Sequence, residues 1–120
     1  MVKRDYRVYI KDILDNIQMA EDFLRHISFE KLSEDKKTTY AAIRCVEIIG
    51  EAAKHIPNVI RKKHPEIPWK MMAGMRDKII HEYFGVVLEV VWKTIKEEIP
   101  ALKPLMKKIL TELKNSPPFA

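Results

Sequence analysis

The sequence predicts an all-α protein, an antiparallel bundle of four to five helices, and three observations carry that expectation. Along most of the 120 residues, apolar side chains recur at steps of three and four, the period of one face of an α-helix. No alternating apolar and polar stretch competes with that pattern, so the chain offers no strands. Only three glycines are present, too few for the tight turns of a sheet-rich fold or for a phosphate-cradling loop.

Tyr6, Ile10, Ile13, Ile17, Ala20, Leu24 and Ile27 form one stripe of a long first helix. Ser33 is the expected N-cap of a second long helix, in which Ala42, Val46, Ile49, Ala53 and Ile56 repeat while Tyr40 and Ile43 widen the apolar face. A face that broad calls for two neighbouring helices. On the other side Arg44, Glu47 and Glu51 align at i, i+3 and i+7, and Gly50 among them lets another backbone come close. Three prolines between Pro57 and Pro68 bracket Arg61-Lys62-Lys63-His64, a basic segment with room for about two helical turns. A third helix runs from Trp69 to about Phe84, where Gly85 is placed for a left-handed cap. Leu88, Val91, Ile95 and Ile99 describe a fourth, which Pro100 and Pro104 interrupt before Leu105, Ile109 and Leu113 carry a last one. Residues 1–115 therefore read as one helical domain and residues 116–120 as a frayed tail.

Composition narrows the function classes. With 47% apolar and 32% charged residues the chain is an ordinary globular protein of one core. No apolar run approaches the ~20 residues of a membrane span, and no apolar stretch follows Lys3 and Arg4 to make a signal peptide, so a cytoplasmic protein with no membrane association is expected. The lone Cys45 excludes an internal disulfide and lacks the partners of a zinc site; inside an apolar helical pattern it reads as a buried thiol. Twenty-two Lys and Arg against 17 Asp and Glu give a net charge of +5, which suits a polyanionic partner.

The segment that carries chemistry is Met75-Arg76-Asp77-Lys78-Ile79-Ile80-His81-Glu82-Tyr83-Phe84-Gly85. At ~100° per residue, with Arg76 at zero, Ile79, Met72, Tyr83 and Ile80 all fall within ~60° of it. Arg76 thus lies on the apolar side, where it must snorkel, pair with a carboxylate such as Glu47 or Glu51, or point into a solvated cleft or a subunit interface. Asp77 and His81 form an i, i+4 pair on a different face, in which the carboxylate orients one imidazole nitrogen and leaves the other available. Such a set suits phosphodiester transfer within RNA, the histidine moving a proton at the 2′-hydroxyl or the leaving oxygen and the arginine holding the phosphate charge. On spacing alone the commoner reading is a surface Asp77–His81 pair, with Arg76 paired to Glu47 or Glu51 and Tyr83 in the core.

Arg76, His81 and Tyr83 meet the pattern R-x(4)-H-x-Y, and the stretch resembles the motif of HEPN-domain proteins, specifically the HepT-like toxins. Gly50-Glu51-Ala52, Ile67-Pro68-Trp69, Val91-Trp92 and Ile99-Pro100-Ala101-Leu102 resemble that family in order and spacing, so the likeness covers most of the chain. The resemblance implies a helical ribonuclease that acts as a homodimer, two copies of the motif meeting at the interface, with a minimal nucleotidyltransferase antitoxin as partner; the proton-transfer chemistry itself needs no metal, and no cofactor is expected. It implies Arg76 and His81 as the catalytic pair, Asp77 as an assisting residue, and Tyr83 as the tyrosine that the antitoxin modifies with AMP. Many relatives carry asparagine where this chain has Asp77, and the added negative charge bears on rate.

The angular arithmetic also favours a dimer. Arg76 and His81 diverge by ~140° on one helix, and two helices face one scissile phosphate more readily. Arg61, Lys62 and Lys63 are candidate RNA phosphate contacts, with Lys103, Lys107, Lys108 and Lys114 a second basic cluster. His26 and His55 sit near expected helix ends, and Trp69 and Trp92 read as core anchors. Two function classes follow: an RNA-cleaving toxin restrained by a transferase, or a non-catalytic dimeric subunit that uses the Arg76 and Tyr83 face to dock a nucleotide or the transferase.

Overall fold

The computed structural model describes residues 5–81 and 88–114, apart from the side chains of residues 78–81 and 114. All regular structure among these residues is helical. Helix α1 spans Tyr6–Leu24 and starts at Asp5, whose carboxylate accepts the Arg7 N–H at 2.9 Å. Its predicted stripe is the buried one: Ile10, Ile13, Ile17, Ala20 and Leu24 are fully buried. His26, at φ 63°, turns the chain away immediately after α1. Ile27 accordingly falls beyond the helix and packs half-buried against the core.

A short helix α2, Phe29–Glu34, intervenes where the sequence pattern suggests only a connection. Ser33 lies within it and donates its hydroxyl to the Glu30 carbonyl at 2.6 Å, so it does not cap the next helix. Asp35 does: its carboxylate accepts the Thr38 N–H at 3.1 Å and the Thr38 hydroxyl at 2.6 Å. A carboxylate at that position gains from the helix dipole as well as from the hydrogen bond. Helix α3, Lys36–Lys54, buries Ala42, Ile43, Val46, Ile49 and Ala53. Tyr40, expected to widen its apolar face, is instead 59% exposed. It stands ~160° around the helix from Ala42, beyond the reach of either neighbour.

Helix α4, Asn58–Lys63, fills the proline-bracketed segment. Arg61 ties it to the end of α3, donating from Nε to the Ile56 carbonyl at 3.0 Å and from Nη2 to the Ala53 carbonyl at 2.7 Å. Helix α5, Trp69–His81, opens on a buried tryptophan whose indole N–H donates to the His64 carbonyl at 3.1 Å. The expected continuation to Phe84 and the cap at Gly85 lie outside the described residues, as does the tail at 116–120.

Helix α6, Leu88–Lys93, passes through one π-helical turn, Thr94–Glu98, directly into α7, Ile99–Lys114. The interruption expected at Pro100 and Pro104 does not occur. In the π turn Ile99 donates to Thr94, five residues back, and this wider register absorbs the residue that has no N–H to give. Pro104 stays within α7 because Leu102, Met106 and Ile109 around it are buried and hold the helix in place. The long elements pack side by side in the order α5, α3, α1, α7, which leaves α3 and α1 each with two neighbours.

Candidate active site

The site begins with a missing side chain. A Cβ at Gly50 would lie 2.7 Å from Arg76 Cβ, 2.8 Å from the Arg76 backbone nitrogen and 3.1 Å from the Met72 carbonyl oxygen. Only glycine lets α3 and α5 approach this closely. The contact fixes which residues meet across the two helices. Glu51 Oε2 lies 2.7 Å from Arg76 Nε, and one turn on, Lys54 Nζ donates to Asp77 Oδ1 at 2.8 Å. Arg76 Nη1 also lies 3.7 Å from Asp77 Oδ1, so charges alternate in sign along the seam.

Arg76 belongs to the wall of a groove of about 550 Å³ between α1, α3 and α5, lined also by Tyr9, Asp12, Arg44, Glu47 and Glu51. Of the options open to an arginine on an apolar face, this one combines a carboxylate partner with a solvated cleft. Its side chain is 36% exposed, so part of the guanidinium faces the groove. Arg44 and Glu47 pair more loosely at 3.7 Å, and the predicted alignment of Arg44, Glu47 and Glu51 is the α3 wall of the groove. His55 Nε2 lies 3.5 Å from Glu51 Oε1, while its ring stacks on Tyr9 with centroids 5.0 Å apart and planes 14° apart. Below them Asn16 is buried; its amide nitrogen donates to the Asp12 carbonyl at 2.8 Å and its carbonyl oxygen has no partner among the described residues.

The other sequence-predicted residues divide. Asp77 is beside Arg76 and half exposed. His81 is the last residue of α5, but its side chain, and with it the expected pairing with Asp77, lies outside the described residues, as does Tyr83. Arg61 is engaged by the carbonyls at the end of α3, whereas Lys62 and Lys63 are exposed on α4. In the second basic cluster Lys103 lies 3.5 Å from Glu21, and Lys107 and Lys108 are exposed. Cys45 is buried, and burial pushes its thiol up to about 11, which disfavours the thiolate that a nucleophile needs. Lys54 and the Tyr9–His55 stack have no signal in the local pattern. Both depend on contacts between helices, although Lys54 does stand one turn from Glu51 just as Asp77 stands next to Arg76.

Known proteins share this sequence over most of its length. The chain is 54% identical to "Probable ribonuclease HepT" of Thermococcus cleftensis, covering 90% of this chain and 98% of that one. Two proteins provisionally named RNases, from Methanocaldococcus jannaschii and Caldanaerobacter subterraneus, are 45% and 46% identical over 96% and 90% of this chain and 95% and 96% of theirs. No solved structure matches it. Residues 13–109 match the family model described as ribonuclease HepT-like. The chain belongs to the HepT-like ribonuclease family.

Proposed function

We propose that this protein is an endoribonuclease toxin that cleaves RNA without a metal ion, through the RNA's own 2′-hydroxyl. Arg76 carries the reading: it is a half-buried arginine on the wall of an open groove, in a chain of the HepT-like ribonuclease family. In the reaction His81 takes the 2′-hydroxyl proton, and the oxygen attacks the adjacent phosphorus. The P–O5′ bond breaks, and the departing 5′-oxygen receives a proton from the partner subunit's His81. The products are a 2′,3′-cyclic phosphate and a 5′-hydroxyl. Arg76 holds the charge that gathers on the phosphoryl oxygens, and Asp77 assists beside it. A homodimer supplies both histidines to one phosphate, and a protein of this size makes such a composite site by symmetry. Lys62 and Lys63, with Arg61 at the base of the same short helix, extend a basic surface for flanking phosphates. Control comes from a minimal nucleotidyltransferase antitoxin that adds AMP to Tyr83, placing negative charge where the substrate phosphate sits.

Purified protein incubated with total RNA tests this. Arg76→Ala and His81→Ala each abolish cleavage with helical content unchanged, chelators have no effect, and the fragments end in a 2′,3′-cyclic phosphate. Light scattering gives twice the 14.1 kDa chain mass. Co-expression with the transferase adds multiples of AMP to wild type and none to Tyr83→Phe. RNA left intact by folded wild-type protein would instead favour a non-catalytic binding subunit.

A further inference from the structure

We infer that Glu51 is the positioning residue of Arg76, a role that rests on the ribonuclease reading above. Glu51 takes the Nε edge of the guanidinium at 2.7 Å, and the pairing fixes that edge toward α3. An arginine has five N–H groups on a rigid plane, so a carboxylate in ion-pair contact at Nε holds that edge and leaves the terminal nitrogens, of which Nη1 also lies 3.7 Å from Asp77 Oδ1, toward a phosphate. Pairing end-on through both terminal nitrogens would have used the two-pronged edge that suits a phosphate.

Glu51 also has a neighbour on its own helix. Its other oxygen, Oε1, faces His55 Nε2 at 3.5 Å, and the His55 ring is stacked on Tyr9 of α1. A line of contacts thus runs from Tyr9 on α1 through His55 and Glu51 to Arg76 on α5, and the Gly50 contact fixes the register of α3 and α5. Glu47, the other carboxylate within helical reach, is paired with Arg44 and lies a turn away. Stability does not account for the arrangement. Glu51 is 50% exposed and Arg76 36% exposed, and ion pairs so open to solvent contribute little to folding. What such a pair does supply is a fixed geometry, and misplacing a catalytic group by about 1 Å costs on the order of 100-fold in rate.

The carboxylate has an opposite effect on affinity, because its charge stands beside the site of an anionic substrate. Glu51→Gln keeps an oxygen for the Nε–H and removes the charge; Glu51→Ala removes both. The expected result is a split: Glu51→Gln holds kcat within about 3-fold of wild type and lowers KM, whereas Glu51→Ala lowers kcat by roughly 10- to 100-fold without raising KM. The Arg76 Nε–Hε resonance, followed by NMR in the same three proteins, reads the positioning without substrate. It is sharp and protected from exchange in wild type and Glu51→Gln, and broadened or lost in Glu51→Ala.

Unchanged kcat in Glu51→Ala, alongside inactive Arg76→Ala, would overturn the inference and leave the catalytic reading standing. An activity loss in Glu51→Ala that merely follows a lower melting temperature and fraction folded would make the role structural and overturn it as well. If the wild-type protein leaves RNA intact, the catalytic reading fails. The Nε–Hε comparison then decides alone: an identical resonance in wild type and Glu51→Ala refutes positioning, and its loss in Glu51→Ala upholds it.

Discussion

Gly50 on α3 and Arg76 on α5 meet backbone to backbone, with 2.7 Å separating a hypothetical Cβ of the first from the Cβ of the second. Neither the Arg76 nitrogen nor its Cβ can swing aside, so Gly50→Ala must push the two helices apart. Overpacking of this kind costs roughly 1–3 kcal/mol and here also moves Arg76 away from Glu51. Gly74, on the same helix as Arg76, is the control: nothing among the described residues lies within 4 Å of a Cβ there, and it is exposed in mid-helix. Gly74→Ala should stabilise by up to ~1 kcal/mol, because alanine restricts the unfolded chain and favours the helix. Thermal melts of the two variants should move in opposite directions, and Gly50→Ala should lose RNA cleavage beyond its loss of folded protein. A Gly50→Ala protein as stable as wild type would contradict the close approach.

Sequence alone goes far along α1 and α3 because burial there is periodic, and Ile10 to Leu24 need only a 3.6-residue repeat to be found. Gly50 is legible too, since a glycine inside a long helix weakens it, and a close backbone contact is what offsets that cost. The start of α3 is not, because Ser33 and Asp35 are both good caps and the short helix α2 decides between them. Pro100 misleads for a related reason: its cost depends on hydrogen-bond register, which a π turn alters without any sign in composition. At the site, sequence offers Glu47 and Glu51 as partners for Arg76, and only the tertiary contact selects Glu51. The Lys54–Asp77 pair, 23 residues apart, is invisible to any local rule.

The cap of α3 has a pH signature. Hydrogen bonds from the Thr38 hydroxyl and backbone N–H hold the Asp35 carboxyl below its ordinary value. A carboxyl whose folded pKa is depressed stabilises the protein above its unfolded pKa of ~4 and loses that contribution as pH falls through the folded value. Asp35→Ala should therefore melt below wild type at pH 7, with the two curves converging in acid. Asp35→Asn should fall between them, because an amide oxygen still caps. A constant difference from pH 7 to pH 3 would mean that the carboxylate's charge plays no part.

Burial of Cys45 predicts inertness in the native state. With its thiol pushed up to about 11, almost no thiolate exists at pH 8, and the folded chain should resist iodoacetamide that labels it readily after denaturation. The sign for stability is the reverse of Asp35: a raised folded pKa means that stability declines as pH climbs above the unfolded thiol value of ~8.5 toward 11. Rapid labelling of native protein at pH 8 would show that α3 opens or that the thiol is not enclosed.

Asp77 separates charge from hydrogen bonding at the site. Its Oδ1 accepts from Lys54 at 2.8 Å and lies 3.7 Å from Arg76 Nη1, so the carboxylate anchors a lysine and, on the proposed mechanism, opposes a phosphate arriving at the arginine. Asp77→Asn keeps an acceptor for Lys54 and deletes the opposing charge. For a unit charge a few Å from the phosphate in a solvent-screened groove the relief is ~1 kcal/mol, or about five-fold in KM at low salt. That gain should shrink as added salt shortens the screening length, whereas kcat should hold. Asp77→Ala strands the lysine and should lose kcat instead. If Asp77→Asn were inactive while folded and dimeric, the carboxylate itself would have to take part in proton transfer, and Asp77 would move from assisting Arg76 to acting with His81.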